Sequence, residues 1–119
     1  MSVSLNDVEN LLKSRLRLSN DESKTFVLIV KNGRTTIGKI SESLDCPKHE
    51  AGVVAKSLVD KGMIIDISET EYESLHPRFA ITNRYRRLCI EDNIPFKKNL
   101  IIDNIGIVLE RPFEAARAT

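Results

Sequence analysis

The amino-acid sequence predicts a mainly α-helical protein with one small β-hairpin, a fold of the α+β class. Three observations predict it. Apolar residues recur at helical spacing through most of the chain, glycine and proline divide these segments at short intervals, and apolar–polar alternation replaces the helical period after Gly62. The 119 residues, 41% of them hydrophobic, suffice for one domain with a modest core. We therefore expect several short helices around one hairpin.

Two helices are expected in the first quarter of the chain. The first covers residues 5–17, where apolar residues follow helical spacing behind a capping residue at Ser4. The second opens at Ser19, with acidic residues favourably placed in its first turn. It ends at Asn32-Gly33, a pair that tolerates left-handed backbone geometry.

A helix-turn-helix is expected at residues 36–61. Thr35 or Thr36 caps its first short helix, and Pro47 stands at the first position of its second helix, which ends at Lys61-Gly62. Two short helices joined by a tight turn have this motif's pattern. The apolar positions of the two helices are Ile37, Ile40 and Leu44, then Ala51, Val54, Ala55 and Leu58.

A β-hairpin follows directly, around the polar turn at residues 68–71. Its strand positions are marked by Ile65, Ile67, Tyr72 and Ser74. A hairpin behind a helix-turn-helix is a wing, so the predicted fold is a winged helix-turn-helix with flanking N- and C-terminal helices. We divide the chain into a winged helix-turn-helix domain, residues 1–75, and a C-terminal helical extension, residues 76–119.

Two helices are expected in this extension. The first covers residues 78–91 behind Pro77; the second covers residues 97–110 and is ended by Pro112, which leaves a frayed tail, EAARAT. The apolar stripe of the last helix must pack on something, either the domain's own first helix or its copy in a homodimer. The usual two-fold symmetry of small DNA regulators favours the dimer. The stripe consists of Ile101, Ile102, Ile105, Val108 and Leu109.

Two segments carry a resemblance to a known family. CPKHEAGVVAKSLVDKGMI, at residues 46–64, resembles the recognition helix and wing entry of archaeal winged helix-turn-helix regulators, particularly the TrmB-like group, and SNDESKTFVLIVKNG resembles the helix that opens their domain. The similarity covers roughly residues 19–75 and implies a DNA-binding transcriptional regulator. The family often has an aromatic residue where Gly52 stands. Nothing beyond residue 76 resembles the sugar-binding domain of larger members, so sugar sensing is not implied.

The second helix of the motif carries the expected DNA contacts. Residues near the N-terminus of such a helix usually reach base edges in the major groove, with lysine on phosphate or guanine and valine on a thymine methyl group. Gly52 admits two interpretations: close helix packing that excludes a Cβ, or close approach to the DNA backbone. The expected DNA-binding residues are Thr36, Lys48, His49, Gly52, Val53, Lys56, Arg84 and Arg87.

The charge distribution leaves a second function open. Four acidic residues lie in the wing, where phosphates would repel them, and four arginines follow at residues 78–87. These arginines form a patch that contacts the DNA backbone, or they are solvated, or they pair with the acidic wing of the same or a second subunit. The alternative function is a protein–protein interaction module in a transcription or chromatin assembly. The acidic residues are Asp66, Glu69, Glu71 and Glu73.

Other functions receive no support from the composition. The net charge is +1, aromatic residues make up 5%, and Cys46 and Cys89 form no CxxC pair, which disfavours single-strand stacking surfaces and zinc sites. Neither histidine belongs to a recognisable catalytic triad and no glycine-rich phosphate loop is present, so we expect no enzyme activity and no cofactor. With no long apolar run and few cysteines, we expect a cytoplasmic protein that does not bind membranes.

Overall fold

The computed structural model describes residues 4–118, and its element order is that of a winged helix-turn-helix with additional helices at both ends. The expected α+β fold class is confirmed. Residues 1–3 of the first expected domain and Thr119 of the expected tail lie outside the described residues. A 3-10 turn at Leu5–Asp7 leads into the first helix. The elements are α1 (Val8–Leu16), α2 (Asn20–Asn32), β1 (Thr35–Thr36), α3 (Ile37–Leu44), α4 (Lys48–Asp60), β2 (Ile64–Asp66), β3 (Glu71–Ser74), α5 (Pro77–Glu91) and α6 (Leu100–Arg117).

Local capping interactions determine where the central helices begin and end. The Ser19 hydroxyl accepts a hydrogen bond from Glu22 N–H, and the Glu22 carboxylate accepts one from Ser19 N–H, so that a capping box opens α2. Thr36 is the N-cap residue of α3, as Ser19 is of α2, and α4 begins directly after Pro47. Gly62 ends α4 with a φ of +78°, a left-handed conformation that favours glycine.

The wing belongs to a three-stranded antiparallel sheet, in the order β1-β3-β2. Thr35 pairs with Tyr72, and Ile64 pairs with Ser74. The sequence did not predict β1, because a strand of two residues has no period. Ile64 and Tyr72 are buried under the sheet, whereas Ile65 is exposed.

The core is continuous across the expected domain boundary at residue 75. α6 packs along α5 and across α2, and it also touches α1. Side chains from all six helices and from the hairpin form one buried cluster. The C-terminal helices therefore complete the core of the winged helix instead of extending away from it. Among residues 4–118, no helix has the length and apolar character required to cross a membrane.

The end of α6 differs from the expectation, since Pro112 lies inside the helix and the last turn reaches Arg117. The Arg117 guanidinium donates to the carbonyl oxygens of Val30 (2.8 Å) and Ile29 (3.3 Å), at the end of α2. It also pairs with Glu73 in β3 and stacks on the Phe113 ring at 3.7 Å. These contacts fix a turn that a proline and a polar tail would otherwise leave frayed.

Candidate nucleic-acid interface

Helix α4 presents one polar, solvent-exposed face. Its buried side consists of Ala51, Ala55 and Leu58, each with no exposed surface. On the opposite side, Val53 is 68% exposed, and nothing among residues 4–118 covers this apolar side chain. The other exposed side chains on α4 include Lys48, His49, Glu50 and Lys56. The helix therefore has the outward positions that the sequence predicted, and their contact with DNA stays a prediction.

A hollow of about 470 Å³ lies where the N-termini of α3 and α4 meet the tip of the wing. Ile37 N–H donates to Thr70 O at 2.9 Å, which holds the wing turn against the start of α3. The Thr36 hydroxyl accepts from Lys39 N–H at 3.2 Å and keeps its own hydrogen for a ligand. Helix N-termini carry partial positive charge, so the hollow suits an anionic oxygen. Its lining residues are Thr36, Ile37, Gly38, Lys48, His49 and Thr70.

A second groove, of about 280 Å³, separates the middle of α4 from the wing. Gly52 lines it, and a Cβ added there would meet no heavy atom within 4 Å. Close helix packing therefore does not account for this glycine, and approach to a ligand is the remaining interpretation of the two. Lys56 lies on the same groove, opposite Asp66 and Glu69 of the wing.

The acidic wing is partly neutralised from within the chain. Glu73 pairs with Arg117, so its charge belongs to the contacts that hold α6. Glu71 is half-buried, while Asp66 and Glu69 are exposed. The acidic surface that faces solvent therefore borders the groove beside α4, where it lowers the local positive potential.

The arginines of α5 do not form one basic surface. Arg84 is buried, and its Nε donates to Leu16 O at 3.0 Å; burial lowers the pKa of its guanidinium. Arg87 donates to Asp60 O at 2.7 Å, on the last turn of α4. Arg86 lies over the Phe96 ring at 5.0 Å. Arg84 is thus unavailable to DNA, and Arg87 caps the end of α4 opposite to the hollow.

The expected dimerisation stripe on α6 faces the chain's own core. Ile102, Ile105 and Leu109 are buried among α1, α2 and α5, with Ile101 and Val108 half-buried at the edges. The structure therefore corresponds to the first of the two alternatives for this stripe, in which α6 covers its own domain. A dimer of this fold needs a different surface.

Ile37, Gly38 and Thr70 line the hollow but were missing from the predicted DNA-binding residues. The sequence prediction also missed Asn83, which lies at the other end of α4 and donates to Gly62 O at 3.2 Å beside the Arg87 contact. A Cβ on Gly62 would collide with the Asn83 amide and the Arg87 guanidinium. Gly62 was a signal in the sequence that another element packs closely against the end of α4. The position of Thr70 had no such signal, because it depends on how the β-hairpin folds back onto the start of α3.

In the part of the chain that the structure describes, one group of side chains has the composition of a metal site: His76, Glu110 and Glu114, whose ligand atoms lie within 4.8 Å of one another. His76 Nδ1 accepts a hydrogen bond from Arg78 N–H at 3.2 Å and caps α5. A neutral imidazole then carries its proton on Nε2, which faces Glu110 at 3.3 Å. This arrangement suits a hydrogen bond from histidine to carboxylate, and a metal ion would have to displace that proton.

The comparisons with known proteins give one match. The family model described as "Sugar-specific transcriptional regulator TrmB" matches residues 12–87, from the first helix of the core to the Arg87 contact on α4. No curated protein and no solved structure matches the chain. The matched region contains the hollow, the exposed face of α4 and the wing.

Proposed function

The chain belongs to the TrmB family of DNA-binding transcriptional regulators, and from this premise we propose that it binds double-stranded DNA sequence-specifically, as a homodimer in the cytoplasm. Members of the family are regulators and not enzymes. Both cysteines are free thiols, which is consistent with a reducing compartment. A protein of the transcription machinery is a further candidate partner.

The N-terminal half of α4 enters the major groove in this proposal. Lys48 and His49 lie at its first turn, where side chains of recognition helices usually reach base edges or the flanking phosphates. Val53 offers an exposed apolar contact for a thymine methyl group, and Lys56 a cation one turn further along. Gly52, between His49 and Val53, lets the backbone of α4 approach the duplex.

The observation that carries the proposal is the hollow at the start of α3 and α4. Two helix N-termini, a lysine, a histidine and a threonine hydroxyl converge there, and all of them favour an anionic oxygen. A DNA phosphate in the hollow orients α4, because the same helix that binds the phosphate carries the base-reading side chains. Thr36 and Lys48 are the expected phosphate contacts.

A salt titration of binding to duplex DNA tests this proposal. Each phosphate contact contributes about −0.9 to the slope of log K against log salt, so a dimer with about four contacts has a slope of about −3 or steeper. Replacing Lys48 by Ala removes one contact per subunit and makes the slope shallower by about 2. Lys97→Ala, in the exposed connection before α6, is the matched control and leaves the slope unchanged. A flat salt response of the unmodified protein contradicts the proposal.

The acidic wing favours a second candidate, a module that binds a basic protein surface. The two candidates differ in the effect of charge reversal at Glu69 and Glu71. If the wing lies beside DNA, replacing both by Lys strengthens non-specific duplex binding, because two repulsive charges per subunit become attractive. If the wing binds a protein, DNA affinity is unchanged and the protein partner is lost. The same duplex titration, run beside the unmodified chain, separates these results.

A further inference from the structure

Helices α5 and α6 expose apolar side chains on the side that faces away from the core. In α5, Phe79 and Ile90 are 58% and 73% exposed, and they lie on a stripe opposite the buried residues. In α6, Leu100 and Ile107 are 70% and 47% exposed, seven residues apart on the stripe opposite the core. We call the surface formed by these two stripes the outer face.

The two stripes border each other. α5 and α6 run antiparallel, because His76 at the start of α5 faces Glu110 late in α6, whereas Thr82 further along α5 lines a crevice with Asp103 near the start of α6. Between these contacts, Gly106 lies against the backbone of Arg78, where an added Cβ would be 3.0 Å from Arg78 Cα. Phe79 follows Arg78 in α5, and Ile107 follows Gly106 in α6. These two side chains therefore lie beside each other on the same side of the α5–α6 pair. Leu100 extends the apolar surface two turns towards the start of α6.

Charges on the outer face are arranged symmetrically about Ile107. Asp103, half-buried at the edge of the outer face beside Arg78 and Thr82 of α5, lies four residues before it, and the exposed Arg111 lies four residues after it, one helical turn on either side. Among residues 4–118, neither Asp103 nor Arg111 forms an ion pair. A second α6, antiparallel to the first about a two-fold axis beside Ile107, brings each Asp103 level with Arg111 of the second copy.

We propose that the outer face binds a second copy of this chain, with Ile107 and Phe79 beside the two-fold axis and two symmetry-related Asp103–Arg111 ion pairs flanking it. This inference rests on the homodimer in the proposed function and names its surface. A self-complementary patch is what a two-fold interface requires. The outer face replaces the α6 stripe that the sequence suggested for dimerisation, because Ile102, Ile105 and Leu109 of that stripe are buried in the core.

The size of the outer face is adequate for a weak dimer. α6 has 18 residues and is therefore about 27 Å long, and two adjacent helices are about 20 Å wide. A contact over this area buries on the order of 500 Å² per subunit, which is below the roughly 800 Å² of a standard interface and in the range of weaker complexes. The exposed apolar residues at its centre are the type of side chain that gives such an interface its stability.

Charge exchange at the two flanking positions tests the proposal. Sedimentation equilibrium of the full chain gives the dimer dissociation constant. Arg111→Asp and Asp103→Arg each place like charges at two symmetry-related positions, and we expect each to raise this constant at least about tenfold. The double variant, which restores both pairs with reversed polarity, returns the constant to within about threefold of the unmodified value. Circular dichroism melts accompany each sample and exclude unfolding as the cause.

Three results overturn this interface: a monomeric unmodified chain, single variants that dimerise normally, or a double variant no better than the singles. Ile107→Glu provides an independent check, since a carboxylate beside its own symmetry mate weakens any dimer that uses this face. DNA binding is measured separately on the same samples. A chain that binds duplex DNA as a monomer refutes the interface and the homodimer but leaves DNA binding standing, whereas a dimer without duplex affinity refutes DNA binding and leaves the interface standing.

Discussion

Replacement of Gly52 by Ala separates the effect of this glycine on stability from its effect on binding. Gly52 lies in the interior of α4, where glycine costs about 0.5–1 kcal/mol relative to alanine through backbone entropy. The added Cβ meets no heavy atom within 4 Å, so no steric cost opposes this gain. We expect the free energy of unfolding to rise by about 0.5–1 kcal/mol, and the melting temperature by about 2–5 °C.

The same substitution should weaken DNA binding. If the middle of α4 approaches the duplex, the methyl group displaces the helix from its phosphate and base contacts, and we expect a loss of about tenfold in affinity, or about 1.4 kcal/mol. Thermal unfolding and fluorescence anisotropy with a labelled duplex measure the two effects. Ser43→Ala, at an exposed position of α3, is the control, because it improves helix propensity with no expected effect on binding.

Two results would refute this reasoning. A lower melting temperature would mean that a neighbouring element packs against Gly52 in solution. An unchanged affinity together with higher stability would mean that the middle of α4 does not approach DNA, and the recognition surface would then have to be limited to the hollow.

Three further predictions concern contacts that hold the fold. Arg84→Ala should lower the free energy of unfolding by about 2–3 kcal/mol in denaturant titrations, because Leu16 O loses a charged donor, while duplex affinity per folded molecule stays unchanged. Arg117→Ala should remove the hydrogen-exchange protection of the last turn of α6 and cost about 2 kcal/mol; protection equal to that of the unmodified chain would contradict the account of this turn. Burial raises the pKa of Glu22, but hydrogen bonds from Lys61, from the backbone at the start of α2 and from a serine of α4 outweigh burial and hold the pKa below its ordinary value. The stability that this carboxylate contributes is therefore present above about pH 4.3 and is lost as the pH falls through the folded-state pKa, and Glu22→Gln should flatten this part of the pH–stability curve.

The parts of the fold that the sequence predicted correctly depend on local signals. The capping box of Ser19 and Glu22 opens α2, Pro47 precedes α4, and Gly62 ends it, each within one or two residues of the expected position. Each of these signals acts through backbone groups of the same turn. The outward residues of α4 follow in the same way, since helical rotation separates His49, Val53 and Lys56 from the buried alanines, whereas Lys48 is exposed because it is the first residue of the helix.

The parts that the sequence did not predict depend on contacts distant in the chain. The run of arginines suggested a charged surface, but Arg84 shares a stripe with Ile81 and Leu88, at the spacing of a buried helix face. That spacing was visible in the sequence; the acceptor at Leu16 was not, because it lies on another helix. Pro112 is similar, since the helix continues past it and Arg117 finds acceptors at the end of α2, which are distant in the sequence.

The contacts between α5 and the end of α4 have a mechanical consequence. Asn83 and Arg87 hold the carbonyl groups of Gly62 and Asp60, and the absence of a side chain on Gly62 lets the two helices touch. A tilt of α4 relative to α5 would therefore strain these two hydrogen bonds, and Phe79 on the outer face belongs to that same α5. We therefore expect a rotation imposed at the outer face to reach α4 through the contacts of Asn83 and Arg87 at its last turn.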